Sequence, residues 1–311
     1  MKKTKFKKNM FKSSLFVILG LSLGIYAFMM LLLLGWGVIT TLKFPSGHFN
    51  EFIHGKEFGF LEGAPWQWAW SNYSTVFKHL NVPIVIDYGD GTSWQRKAYL
   101  FEMLLNTLLY TFGGSFVSMI VPCLVGYATS MTNFKFNKVM NTIVWATMII
   151  PIIGNGPSEV ELLIRLGLYD TWIGFLLQKA YFITIYYLIF QAAFKSLPYS
   201  LVESAYLDGA NDYRVMFNIM LPLVKNLMIT IMLILFVTFW NDYNYPLIYL
   251  RTKPTLAYGV YHLFHLNHEN TIENEPMKLA GSMLLVLPIL ILFISFKDKL
   301  MSNLSMGGVK E

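Results

Sequence analysis

Residues 13–42 form an unbroken run of thirty positions without a single charged side chain. As an α-helix, at about 1.5 Å per residue, such a run reaches about 45 Å, more than the ~30 Å hydrocarbon core of a bilayer. It predicts a first membrane-spanning helix that tilts or projects from the membrane. The run is too long for a signal-peptide core, and no A-x-A cleavage pattern follows it. Six lysines precede it, at positions 2, 3, 5, 7, 8 and 12, with no acid among them. A basic tail of this kind can serve nucleic acid. Beside a long apolar run it marks a cytoplasmic flank.

The rest of the chain fits the same solvent. Of its 311 residues 55% are hydrophobic and 14% charged, against about 25% charged in an average soluble domain. Further apolar runs occupy 103–134, 139–158 (interrupted by Pro151), 180–194, 226–241 and 279–296. The expectation is an all-α polytopic protein of six transmembrane helices, solvated by membrane lipid. Lys179 and Lys225 flank the two shortest runs and can snorkel to an interface.

Charge sets the orientation. Segments 1–12, 135–138, 195–225 and 297–311 together carry +9, whereas 43–102, 159–179 and 242–278 carry −3. The Lys/Arg bias near the spans places both termini inside. The chain then reads as a basic cytoplasmic tail 1–12, helix 13–42, an extracellular loop 43–102, a transmembrane core 103–296 and a cytoplasmic tail 297–311. The net charge of +6 reports topology, and nucleic acid is not an expected partner. The single cysteine, Cys123, excludes an intramolecular disulfide and a CxxC metal site.

The first outer loop holds Trp66, Trp68, Trp70 and Trp94. Trp66 to Trp70 alternate aromatic and other residues as a strand with one apolar face does. Asp90-Gly91 is a turn signal within a short hairpin. These tryptophans stack on a sugar, dock a partner, or fill the loop's own core; the sequence leaves all three open. His262, His265 and His268 diverge on a helix, and no cysteine or carboxylate completes a metal set. No metal is expected.

The inner segment 195–225 reads as helix, turn, helix. Ser200 and Glu203 have capping-box spacing. Asp208-Gly209 is a turn in which Gly209 takes positive φ. Asn211 caps a second helix, with Asp212 in its first turn. Spacing alone leaves this segment as either a docking knob or an ordinary connector.

The residues themselves carry a resemblance. Glu203, Ser204, Ala205, Asp208, Gly209, Ala210, Asp212, Leu221 and Pro222 lie in a segment similar to the EAA motif of binding-protein-dependent ABC importer permeases. Ser204 stands where that family usually has Ala, and Met216 where it usually has Phe. Asn72-Tyr73, Asn106-Thr107, Ile150-Pro151, Trp240-Asn241-Asp242-Tyr243 and the tail Gly307-Gly308-Val309-Lys310 resemble one branch. That branch is the carbohydrate-uptake permeases, and in it the smaller membrane subunit of the kind found in the maltose transporter. The stretch 43–65 and the insert around 82–97 lie outside the pattern.

The resemblance implies the type I ABC importer permease fold, with 195–225 as the hairpin that fits a groove on a cytoplasmic ATPase. Partners would be two ATPase subunits, a second homologous permease and an extracellular sugar-binding protein. The tail 307–310 would approach the ATPases. Tyr258, Tyr261, His262 and His265 would meet the binding protein. Asn106, Trp240, Asn241, Asp242 and Asn244 are candidates for the substrate path. The chain has no GxxxxGK[ST], so ATP and Mg are expected on the partner ATPase, with no cofactor on this chain. No HExxH or GxSxG set supports an intramembrane enzyme. An importer of a non-sugar solute is the alternative.

Overall fold

In lipid a backbone must satisfy its own polar groups, so apolar runs of this length fold as helices. The computed structural model describes residues 2–43, 65–87, 93–132, 135–150, 154–265 and 275–305, with side chains from residue 16 to residue 296. These divide into two compact units, 1–79 with 267–284, and 80–266 with 285–311.

In the first unit, helix α1 (Lys2–Thr41) begins inside the lysine-rich segment rather than after it. Phe16–Thr41 is apolar enough to cross a membrane. The end of α1 leaves carbonyls without helical partners. Asn72 takes two C-terminal carbonyls, donating from Nδ2 to Thr41 O and Lys43 O at 2.8 Å each. Tyr73 OH meets Thr41 Oγ1 at 2.7 Å. The Asn72-Tyr73 pair thus closes the end of α1 from helix α2 (Ser71–His79). The strand expected over Trp66–Trp70 is absent. Pro65–Gln67 is a 3-10 turn, closed by Trp70 Nε1 donating to Pro65 O at 2.7 Å. Pro65 presets φ for a turn, and only Ala69 of this segment is fully buried.

The second unit opens with an antiparallel hairpin, β1 (Asn81–Asp87) and β2 (Ser93–Tyr99), paired from Asn81↔Tyr99 to Asp87↔Ser93. It brackets the Asp90-Gly91 turn signal, whose residues lie outside those described. Val82, Ile84 and Ala98 are buried on its inner face. Helix α3 (Leu100–Met131) follows and is the centre of the unit. Then come α4 (Lys135–Ile149), α5 (Gly156–Arg165), α6 (Trp172–Lys179) and α7 (Ile185–Lys195). After these lie α8 (Ser200–Leu207), α9 (Asp212–Leu223) and α10 (Lys225–Trp240). Last are α11 (Asn244–Tyr249), α12 (Leu256–His265) and α13 (Glu275–Ser305), whose residues 275–284 belong to the first unit.

α3 packs against α7 and α10. Gly126 makes the α3–α7 approach close, since a Cβ there would lie 3.0 Å from Phe190 Cβ and 3.1 Å from the Gln191 amide nitrogen. Small residues at such crossings are what membrane helices use to gain dispersion contact. A polar knot crosses the same region. Tyr187 OH donates to Asn141 Oδ1 at 2.7 Å and lies 3.1 Å from Thr129 Oγ1, and Gln191 Nε2 donates to Thr129 Oγ1 at 2.9 Å and to Asn141 Oδ1 at 3.2 Å. It ties α4 to α3 and α7. We expect Asn141→Leu to lower the thermal midpoint of the purified protein, because the buried Tyr187 and Gln191 would lose an acceptor at about 1–3 kcal/mol.

Three helices among the described residues are long and apolar enough to cross a membrane, and a fourth if α9 and α10, bent by 70° at Val224, count as one. α4 and α7, at 15 and 11 residues, are shorter than a full span. The run 139–158 is broken after Ile149, ahead of Pro151, as expected for the residues preceding a proline. α7 begins at Ile185, five residues later than the apolar run that predicted it.

Candidate functional site

The hairpin at 195–225 is built from its buried side inward. Val202 and Ala205 of α8, and Val215, Met220 and Leu221 of α9, enter the core of the second unit beside Phe190 and Phe194. The turn between the helices is a Schellman motif. Gly209 N donates to Tyr206 O at 3.0 Å and Ala210 N to Ala205 O at 2.9 Å. Gly209 sits at φ +80°, with open space where a Cβ would stand. Asn211 caps α9, its Oδ1 accepting from Arg214 N at 2.9 Å. Asp212 accepts from Tyr206 OH at 2.8 Å and so pins one helix to the other. This bond pushes the Tyr206 phenol up to about 12. The sequence reading missed it: Tyr206 and Asp212 are six apart, a spacing that pairs residues only across a turn.

The capping box does not form. Ser200 is already inside the helix, which starts from the turn at Pro198–Tyr199, and Tyr199 O receives both Val202 N and Glu203 N. Glu203, Ser204 and Asp208 face outward, as does Pro222. Alongside them Leu207 is 88% and Tyr213 74% exposed. The product is a knob with a fixed base and an apolar tip.

At the far ends of α3 and α10 lies a second cluster. Asp242 accepts from Asn244 N and Tyr245 N with Oδ1, which starts α11, and from Tyr110 OH with Oδ2 at 2.5 Å. Tyr110 stacks on Phe175 with ring centres 4.5 Å apart. Lys179 Nζ lies 4.1 Å from the centre of the Tyr245 ring, and Tyr245 OH bonds to Gln178. Trp240 is buried between helices, stacked on Phe236 and donating to Leu285 O. Asn106 donates to Pro254 O at 3.1 Å. Asn241 caps back on Val237 O, and Asn244 is exposed. Of the five path candidates, then, Trp240 and Asn106 are engaged in joining helices and loops, and Asp242 organises α11.

A clamp that the sequence reading did not find surrounds the C-terminal end of α11. Asp170, at φ +57°, accepts from Thr252 N and pairs with Lys253 at 3.3 Å. Its own N–H donates to Tyr249 O, and Tyr169 OH to Ile248 O. Tyr249 OH reaches Glu159 at 3.0 Å; burial and this bond push its phenol up to about 12. Arg96 of β2 holds Glu102 with two bonds of 2.7 Å and also reaches Thr252 O. No short spacing signals this set, because its members come from five separate segments.

α12 packs beside the hairpin β1–β2, with Gly259 against Met103 and Val82. Tyr258, Tyr261 and His262 are half-buried and His265 is exposed. Tyr261 stacks between Tyr243 and His265, at 4.4 and 4.5 Å. His268 and the tail residues Gly307, Gly308, Val309 and Lys310 lie outside the described residues.

Comparison with known proteins places this arrangement. Over 212 residues the chain is 27% identical to the arabinooligosaccharides transport system permease protein AraQ of Bacillus subtilis (strain 168), covering 68% of this chain and 74% of that one. It is 27% identical over 222 residues to the melibiose/raffinose/stachyose import permease protein MelC of the same organism, covering 70% and 79%. A chain in the crystal structure of a bacterial ABC transporter, involved in the import of the acidic polysaccharide alginate, superposes with a TM-score of 0.68. That match has 22% identity and covers 91% of this chain and 95% of that one. The fold is accordingly the mostly helical one of type I ABC importer permeases. Residues 118–300 match the family described as the binding-protein-dependent transport system inner membrane component. That match runs from mid-α3 through the knob to α13, and the chain belongs to this family: it is a multi-pass membrane component of a transport system.

Proposed function

We propose that this chain is one of two permease subunits in an ATP-driven importer of oligosaccharides. Its six spans would be 13–42, 103–134, 139–158, 180–194, 226–241 and 279–296, with both termini and the knob at 195–225 cytoplasmic. The observation that carries the reading is the knob: a base locked in the core, a Schellman turn, and Leu207 and Tyr213 exposed at its tip. An apolar tip on a rigid base suits insertion into a groove of a moving partner, because the backbone that carries it is already ordered before docking. Two cytoplasmic ATPase subunits would bind ATP and Mg and grip the knob through Glu203, Gly209 and Ala210, with Ala205 anchoring its base and the tail 307–310 close by. A second permease would complete the path, and an extracellular sugar-binding protein would deliver substrate at Tyr258, Tyr261, His262 and His265. The oligosaccharide class is supported by the substrates in the relatives' names.

The test is uptake by cells carrying Leu207→Asp. A charge at the knob's tip opposes burial in a groove. We expect the chain to reach the membrane, the ATPase to be lost from the purified complex, and uptake to fall at least about tenfold, as loss of a central interface anchor does. Normal uptake with Leu207→Asp would sink the coupling role. A thermal-shift screen of the cognate binding protein against arabino-oligosaccharides, raffinose and non-sugar solutes decides the substrate class.

A further inference from the structure

We infer that Asp242 is a positioning residue: it latches the short helix α11 to span α3 through Tyr110, and release of this latch accompanies opening of the outer end of the path. The inference rests on the importer reading above.

Three observations converge on α11. At its start one carboxylate joins it to α3, since Asp242 Oδ1 receives Asn244 N and Tyr245 N while Oδ2 receives Tyr110 OH; Tyr245 is held besides by Gln178 and Lys179 of α6. Its end is held by Asp170, Tyr169 and Glu159, which receive or donate bonds at residues 248, 249 and 252. Its flank bears the α12 surface, because Tyr243, next to Asp242, stacks face to face on Tyr261. α11 therefore links α3 to the surface of α12. A push on α12 at Tyr261 reaches Tyr243 by ring contact, Asp242 by one peptide bond and α3 by one hydrogen bond.

The bonds differ in how they can fail. The clamp at the C-terminal end combines an ion pair, backbone bonds and a phenol on a carboxylate, so no single bond releases it. The hydrogen bond from Asp242 to α3 is a single O–H···O bond, made or lost in one step, while Tyr245 stays on Gln178 and Lys179 of α6.

The experiment uses the complete transporter in lipid nanodiscs. Tyr110→Phe removes the hydroxyl and keeps the ring that stacks on Phe175. Hydrogen exchange at residues 244–249 is read at rest and after trapping with ATP and vanadate. In the unsubstituted transporter we expect exchange to rise on trapping. In Tyr110→Phe we expect it to be raised about tenfold already at rest, the factor one bond to a charged group represents. Basal ATP hydrolysis should be unchanged. Stimulation of hydrolysis by the raffinose-loaded binding protein should fall. Equal protection of 244–249 at rest in both proteins overturns the latch, as does exchange unaltered by trapping. Tyr243→Ala, at an exposed position, checks the same route without touching the core: unchanged exchange at 244–249 on trapping, together with unchanged stimulation, would overturn the path from α12. A lack of stimulation in the unsubstituted transporter counts against the sugar reading alone, because the exchange comparison between resting and trapped states needs no binding protein.

Discussion

A Gly209→Val chain should reach the membrane in normal amount and carry almost no solute. The argument is conformational. Gly209 sits at φ +80° with nothing within 4 Å of where a Cβ would be, so no neighbour resists a side chain. What resists is the left-handed backbone itself, which costs an L-residue about 1–2 kcal/mol and a β-branched one the upper part of that range. About 2 kcal/mol shifts a local equilibrium by a factor of roughly 30. The Schellman turn would open, Ala210 N would leave Ala205 O, and Leu207 and Tyr213 would lose their fixed position. The rest of α8 and α9 would stay anchored by Val202, Ala205 and Val215, which is why the chain should still insert. Gly209→Asn separates conformation from size. Asparagine visits the left-handed region more readily than other residues, so it should keep most of the uptake. If Val and Asn behave alike, the turn geometry is not what uptake depends on.

The hairpin was legible because its signals are local. Asn211 as a cap and Gly209 as a left-handed turn follow from residue type within a few positions, and both are present. Ser200 failed for a local reason too: the helix starts one residue early, from Pro198–Tyr199, which leaves no amide for its hydroxyl to cap. The apolar runs located α1, α3, α10 and α13, since hydropathy over twenty positions reports solvent. It does not report where a helix breaks, and α7 starts five residues inside its run. The clamp at the end of α11 was invisible. Arg96, Glu102, Glu159, Asp170 and Lys253 are scattered over more than 150 positions and meet only after folding. Likewise Asp242 reads as a polar residue at the mouth of a span, and only its three received bonds give it a structural task.

A second glycine gives the opposite case and the larger effect on the protein itself. Gly126 is helical, so its backbone accepts any residue, but its surroundings do not. A Cβ there meets Phe190 Cβ at 3.0 Å, Gln191 N at 3.1 Å and Tyr187 O at 3.3 Å. Two of these are backbone atoms of α7 and cannot rotate away. Gly126→Leu would push α7 off α3 and pull apart the bonds from Tyr187 and Gln191 to Thr129, three residues along the same helix. Overpacking costs typically 1–3 kcal/mol, and each buried polar group left alone adds about 1–3 kcal/mol. The two act on one helix pair, so they arrive together. We expect Gly126→Leu to be missing from the membrane fraction, and Gly126→Ala to be present with a lowered thermal midpoint in detergent. Gly209→Val and Gly126→Leu would then give the same loss of uptake for different reasons, with protein level telling them apart. Normal amounts of a Gly126→Leu chain with an unchanged midpoint would mean that α7 does not rest on α3 as closely as this packing requires.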